Sequence, residues 1–158
     1  MESGHDGVIR FLDALRAAEA AAAEVLEAWI AVCALDGLRG GLRAIAQREA
    51  GHAELLAERL REMGAPCAAS LDETTRARAL ERFGSTAVSD EEKLTEVLAR
   101  YPDDRSITEP IASMLESLDG DPETRELLIL VAEGEHATVG WLRAYHAGLA
   151  QRHGRTEI

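Results

Sequence analysis

The sequence predicts an all-α protein built from long antiparallel helices, with extra short helices in its middle region. Three observations lead there. The chain is rich in Ala, Leu, Glu and Arg, with only four prolines in 158 residues, a composition that favours helix. No run alternates apolar and polar residues with the period of a strand. Apolar residues recur instead every three or four positions over long stretches, as one face of a helix demands. The length is that of one domain with a sizeable core, so residues 1–158 are expected to form a single helical domain.

The first helix is predicted from about Asp6 to Ala34. Its stripe is Val8, Leu12, Leu15, Ala22, Leu26, Trp29 or Ile30, and Cys33. The glycines of "LDGLRGG" read as a stop and a short turn, which makes the next helix an antiparallel neighbour. That helix is predicted from about Leu38 to Met63, with Leu42, Ile45, Leu56 and Leu60 on its stripe. "MGAP" ends it, Gly64 at the cap and Pro66 beyond. Short helices are expected near 71–83, 90–101 and 108–118. "SDEE" at Ser89–Glu92 is a capping box, and "YPDD" and "DGDP" are breaks. The last helix starts at Asp121 as N-cap with Pro122 next. It should reach about Ala147 and leave a polar tail, "GLAQRHGRTEI", that frays.

Charge and cysteines narrow the function classes. The formal net charge is −12, which argues against nucleic acid or an anionic membrane as the main partner. The excess is compatible with cation binding, although a solvated acidic surface is its commoner cause. No stretch has the ~18 uninterrupted apolar residues of a spanning helix. The N-terminus shows no basic region followed by an apolar core, so no signal peptide is expected. Two cysteines, Cys33 and Cys67, form neither a C-x-x-C pair nor a disulfide framework, and a cytoplasmic protein with free thiols follows as the expectation.

The informative residues are polar ones on apolar faces. At ~100° per residue, Glu19 falls within a few tens of degrees of Leu12, Leu26 and Ile30, whereas Glu24 and Glu27 lie away. On the second helix Glu49 aligns with Leu42, Leu56 and Leu60, and His52 with Ile45 and Met63. Two neighbouring helices thus bring two carboxylates and an imidazole into one seam. An unpartnered buried charge is very costly, so a shared cation is the economical compensation. Carboxylate oxygens and an imidazole nitrogen suit iron, manganese or zinc. The alternatives are that Glu49 and His52 bond each other, or that Arg48 draws Glu49 to the surface. In the last helix, Leu128, Val131, Leu142, Tyr145 and Leu149 define the stripe. Glu135 and Thr138 fall in it, while Glu133 and His136 fall opposite despite matching E-x-x-H. Glu133 and His136 are therefore expected to face solvent or a partner chain. Cys33, Trp29, Trp141 and Tyr145 read as packing residues; His5, His146 and His153 read as surface residues.

A Glu on helix one, Glu-x-x-His on helix two ("GHAELLAERLREMG") and a Glu-bearing last helix ("DPETRELLILVAEGEHATVGWL") resemble the ferritin-like superfamily, in particular its rubrerythrin-related four-helix proteins. The resemblance covers about half the chain. It implies a ferritin-like antiparallel four-helix bundle whose carboxylates hold iron or manganese. One metal would take Glu19, Glu49 and His52, with Glu49 and Glu135 as bridges. Aligned on Trp141-Leu142, the sequence carries Thr138 where the family has a His ligand. "YPDDRSITEP" breaks the third helix and leaves Glu91, near Leu94 and Leu98, as its one inward carboxylate. A single ion or an incomplete di-metal centre is thus implied. Two cysteines also exclude the four-cysteine electron-relay module of rubrerythrins. The expected function is that of a metal-binding, oxygen- or peroxide-reactive oxidoreductase. The alternative is a non-catalytic module of the same fold acting through a partner. A homodimer is the expected assembly in either case.

Overall fold

A computed structural model describes residues 4–156 of the chain. Its six helices are α1 (Gly4–Val32), α2 (Asp36–Glu62), α3 (Glu73–Phe83), α4 (Asp90–Ala99), α5 (Arg105–Leu115) and α6 (Pro122–Thr156), and no strand occurs among the described residues. No helix is long and apolar enough to cross a membrane.

The long helices pair antiparallel. Val8 and Leu12 near the start of α1 share an apolar cluster with Leu56 and Leu60 near the end of α2. Trp29 and Cys33 at the other end of α1 share a second cluster with Leu38 and Leu42. Against α2, α6 also runs antiparallel: Arg59 Nε donates to Thr124 Oγ1 at 2.9 Å, and at the opposite end Tyr145 lies against Gly37. The α4–α5 segment follows α6 along its length in the reverse direction. Thr95 meets His146 at 3.2 Å, Arg143 donates to Asp104 at 2.6 Å, Thr108 meets His136 at 3.3 Å, and Arg125 donates to the Leu115 carbonyl at 2.9 Å. Helices α4 and α5 together therefore make one broken course beside α6. The shorter α3 packs on α1.

Local chemistry sets the ends. Ser89 and Glu92 form the expected capping box at the start of α4. Asp121 caps α6, accepting from Thr124 N at 3.0 Å. After α2, Gly64 takes φ +72°, and Ala65 N and Gly64 N reach back to the carbonyls of Leu60 and Arg61, the paired bonds that close a helix through a left-handed residue.

Three expectations need correction. The glycines of "LDGLRGG" do not make the turn; residues 33–35 do. Gly37, Gly40 and Gly41 lie inside α2, where a Cβ on Gly41 would stand 2.0 Å from Trp141 Cη2 and one on Gly37 3.3 Å from Tyr145 Oη. The reason is close packing: the stacked Trp141 and Tyr145 rings, 5.3 Å apart, lie on this face of α2. Second, α5 starts earlier than expected, inside "YPDDRSITEP", because Asp103 accepts from Ser106 N at 2.8 Å and so starts the helix. Third, α6 continues well past Ala147. Leu149 is buried in the second apolar cluster, and Arg152 lies over the Tyr145 ring, so the segment expected to fray is held as far as Thr156. Its last two residues lie outside the described residues.

Candidate metal centre

Between the two apolar clusters lies a polar layer. Glu19 comes from α1, Glu49 and His52 from α2, and Glu135 from α6. Each offers one donor atom, and these atoms all lie within 4.8 Å of one another. Glu19 and Glu49 are each 4 % exposed and His52 9 %. Helical spacing explains the convergence: Glu49 and His52 sit on one face of α2, three residues apart, and the short α1–α2 turn sets Glu19 level with them.

The imidazole packs into a space that only glycine leaves open. A Cβ on Gly134 would stand 2.5 Å from His52 Cε1. His52 Nδ1 lies 3.2 Å from Glu19 Oε2. Thr138 Oγ1 donates to Glu49 Oε1 at 3.3 Å, and Arg48 Nη2 donates to Thr138 Oγ1. Among the described residues, two buried side-chain atoms have no hydrogen-bond partner, Glu135 Oε1 and Arg48 Nε.

The electrostatics of the layer are strained. Burial pushes the Glu49 carboxyl up to about 8, with Glu19 adding to the rise and Glu135 and His52 opposing it. Burial also pushes Glu19 to about 7, where the bond to Glu49 opposes it and the Glu135 charge adds. Glu135 rises to about 7 through burial and then through the Glu49 charge. Burial lowers His52, against the pull of Glu49 and Glu135, which favours the neutral imidazole, the form that has a lone pair to give. Two buried carboxylates, a half-buried third with an orphaned oxygen, and one neutral imidazole fit a cation. In a tetrahedral or octahedral sphere with bonds of about 2.0–2.2 Å, donors lie at most about 4.4 Å apart, so the four atoms need only a slight contraction to share one ion.

All four sequence-predicted residues are brought together. Thr138 joins them through Glu49, as its place on the α6 stripe predicts. Glu133 and His136 are exposed, also as predicted. Glu91 is not part of the group: it is exposed on α4 and reaches His153 at 3.4 Å, because the broken α4–α5 course carries it far up α6 from Glu135. Arg48 does not draw Glu49 outward but enters the layer itself. Tyr101, in the break between α4 and α5, is the neighbour the sequence left unmarked. Burial raises its phenol, and the charges of Glu135, Glu49 and Glu19 add to that while Arg100 opposes. Tyr101 carries no periodic signal, since it lies in the α4–α5 break; Arg48 was marked as a neighbour of Glu49, but its bond to Thr138 of α6 was not.

Comparisons with protein-family models, with curated proteins and with solved structures find no match for the chain. Fold and site therefore define the class by themselves: a protein whose described residues are all-helical or connecting loops, with a largely buried three-carboxylate, one-histidine group able to hold a metal ion.

Proposed function

We propose that the chain is a ferritin-like metalloprotein that holds one iron or manganese ion on Glu19, Glu49, His52 and Glu135. The observation that carries this reading is the convergence of four donor atoms within 4.8 Å in a layer between two apolar clusters. The helical course supports the ferritin-like arrangement: α1, α2 and α6 are long and mutually packed, and α4–α5 supplies the fourth, broken member beside α6. Thr138 stands where the resemblance expects a His ligand, and Arg48 donates to it, which favours a single ion over a pair. When bound, such an ion supplies an open coordination position and, as iron, reducing equivalents for dioxygen or peroxide. The chain's own part is to fix the donors by packing, to keep His52 neutral beside Glu19, and to hold Thr138 against Glu49 through Arg48.

The second reading, a non-catalytic helical module, is favoured by the same Arg48–Thr138 contact, since a guanidinium in the layer offsets part of its negative charge without a metal. Elemental analysis of protein purified without chelator separates the two. About one iron or manganese per chain is expected, by the donor set. Metal-free protein that also fails to bind Fe(II) or Mn(II) in calorimetric titration would leave the second reading standing.

A further inference from the structure

A cavity of about 450 Å³ opens beside the polar layer, within the range of about 300–1,000 Å³ typical of small-molecule sites. Its lining is graded. Glu49, Glu135 and Thr138 stand at one end with Tyr101 close by; Trp29, Phe83, Val25 and Leu142 form the other. Between them α1 presents alanines, Ala18, Ala21 and Ala22, so the wall is low along the helix. From Ala18 to Trp29 the cavity follows α1 for about 16 Å at the helical rise. Helix α3 closes the side with Thr75, Ala79 and Phe83. The lining also includes Arg100 and Arg76, the latter paired with Glu24 and Glu73; apart from these and Thr75 the space is apolar away from the donor group, and it is shaped for an elongated molecule with one polar end.

Charge chooses that polar end. With His52 uncharged because it gives its lone pair to the ion, three carboxylates, the Arg48 guanidinium and a divalent cation sum to no net charge. A further anionic ligand would add an uncompensated charge in a buried layer, which is costly; a neutral oxygen donor would not.

Resting on the metal reading above, we infer that the cavity binds an uncharged organic molecule whose terminal oxygen meets the cation and whose apolar body lies along α1 toward Trp29 and Phe83. The probes are 1-butanol, 1-hexanol and 1-octanol, titrated calorimetrically into protein first loaded with Mn(II). Binding should tighten about fourfold per methylene, the transfer preference of one CH₂. Metal-free protein should keep that dependence on length but bind each alcohol more weakly. Ala22→Phe fills the stretch between the two ends. It should weaken 1-octanol about tenfold or more, the equivalent of two or more methylenes, while Mn(II) binding persists. Affinity independent of chain length in the wild type overturns the inference whatever the variant does. So does a variant that keeps the wild-type dependence, or Mn(II) that leaves alcohol affinity unchanged. The Mn(II) titration alone reports on the metal reading: its failure beside length-dependent alcohol binding sinks the metal and the oxygen contact and leaves only an apolar cavity.

Discussion

Gly134 shows how closely the helices are fitted around His52. Alanine at an ordinary interior helix position is more stable than glycine by about 0.5–1 kcal/mol, and Gly140, with open space around its Cα, should show that gain when changed to Ala. Gly134→Ala should do the reverse. Its methyl must displace the His52 ring, and overpacking of this kind costs about 1–3 kcal/mol. Metal affinity should fall about tenfold or more, as when the support of a ligand is lost. Urea melts and Mn(II) titrations of the two variants side by side check this; equal behaviour would mean that His52 is not held by Gly134. Glu49 makes a complementary case. Its carboxylate lies among Glu19 and Glu135 and accepts one long bond from Thr138. Glu49→Gln should therefore abolish metal binding and leave the metal-free fold as stable as wild type or slightly more so. If Glu49 were instead a structural partner, its loss would cost about 1–3 kcal/mol. Thermal melts with and without Fe(II) or Mn(II) decide: the wild type should gain melting temperature by mass action, the variant should not. The four donors were legible in the sequence because each is polar at a position where its helix otherwise shows Leu, Ile or Val. Tyr101 and the inward turn of Arg48 were not, since facing on one helix says nothing of what a second helix or a break brings against it.

Among the elements, α1 is fastened to the segment after α2 by one carboxylate. Asp13 accepts from Ala68 N at 3.0 Å and Ala69 N at 2.8 Å, and Arg16 donates both to it and to the Ala69 carbonyl. Burial raises the Asp13 carboxyl, but these donors outweigh it and hold it below 3.8. The folded state therefore binds fewer protons than the unfolded one at this site. The stability Asp13 adds is complete above its unfolded value, 3.8, and is lost as pH falls through the lower folded value. Asp13→Asn should be less stable than wild type by about 1–3 kcal/mol near neutrality. Urea titrations should show the gap narrowing only below about pH 4. A gap that stayed constant into acid would mean that the charge is not what matters. Element existence was legible throughout, as the stripes and caps show. Boundaries failed where a signal has two meanings. Glycine marks a turn or a close approach, and Gly37 and Gly41 are the second kind. The polar residues after Ala147 signal an end, yet the one apolar residue Leu149 and the Arg152–Tyr145 contact keep α6 going.

At the scale of the molecule, the polar layer divides the apolar core in two, and its parts come unevenly from the chain. Glu19, Glu49 and His52 belong to the α1–α2 pair, joined by residues 33–35; only Glu135 waits for α6. Closing the short connection costs the chain far less entropy than bringing α6 back across the intervening helices, and local pairings of this kind form fast. Three donors are then in place before the fourth arrives. Mn(II) present during refolding should accordingly speed the folding limb of a stopped-flow chevron as well as slow the unfolding limb. A metal effect confined to unfolding would show that the donors assemble only after the barrier. Since α1 and α2 also leave the ribosome before α6, the proposed metal reading would let an ion meet a nascent chain that already offers it three ligands, and would make the supply of metal during synthesis one of the conditions of maturation.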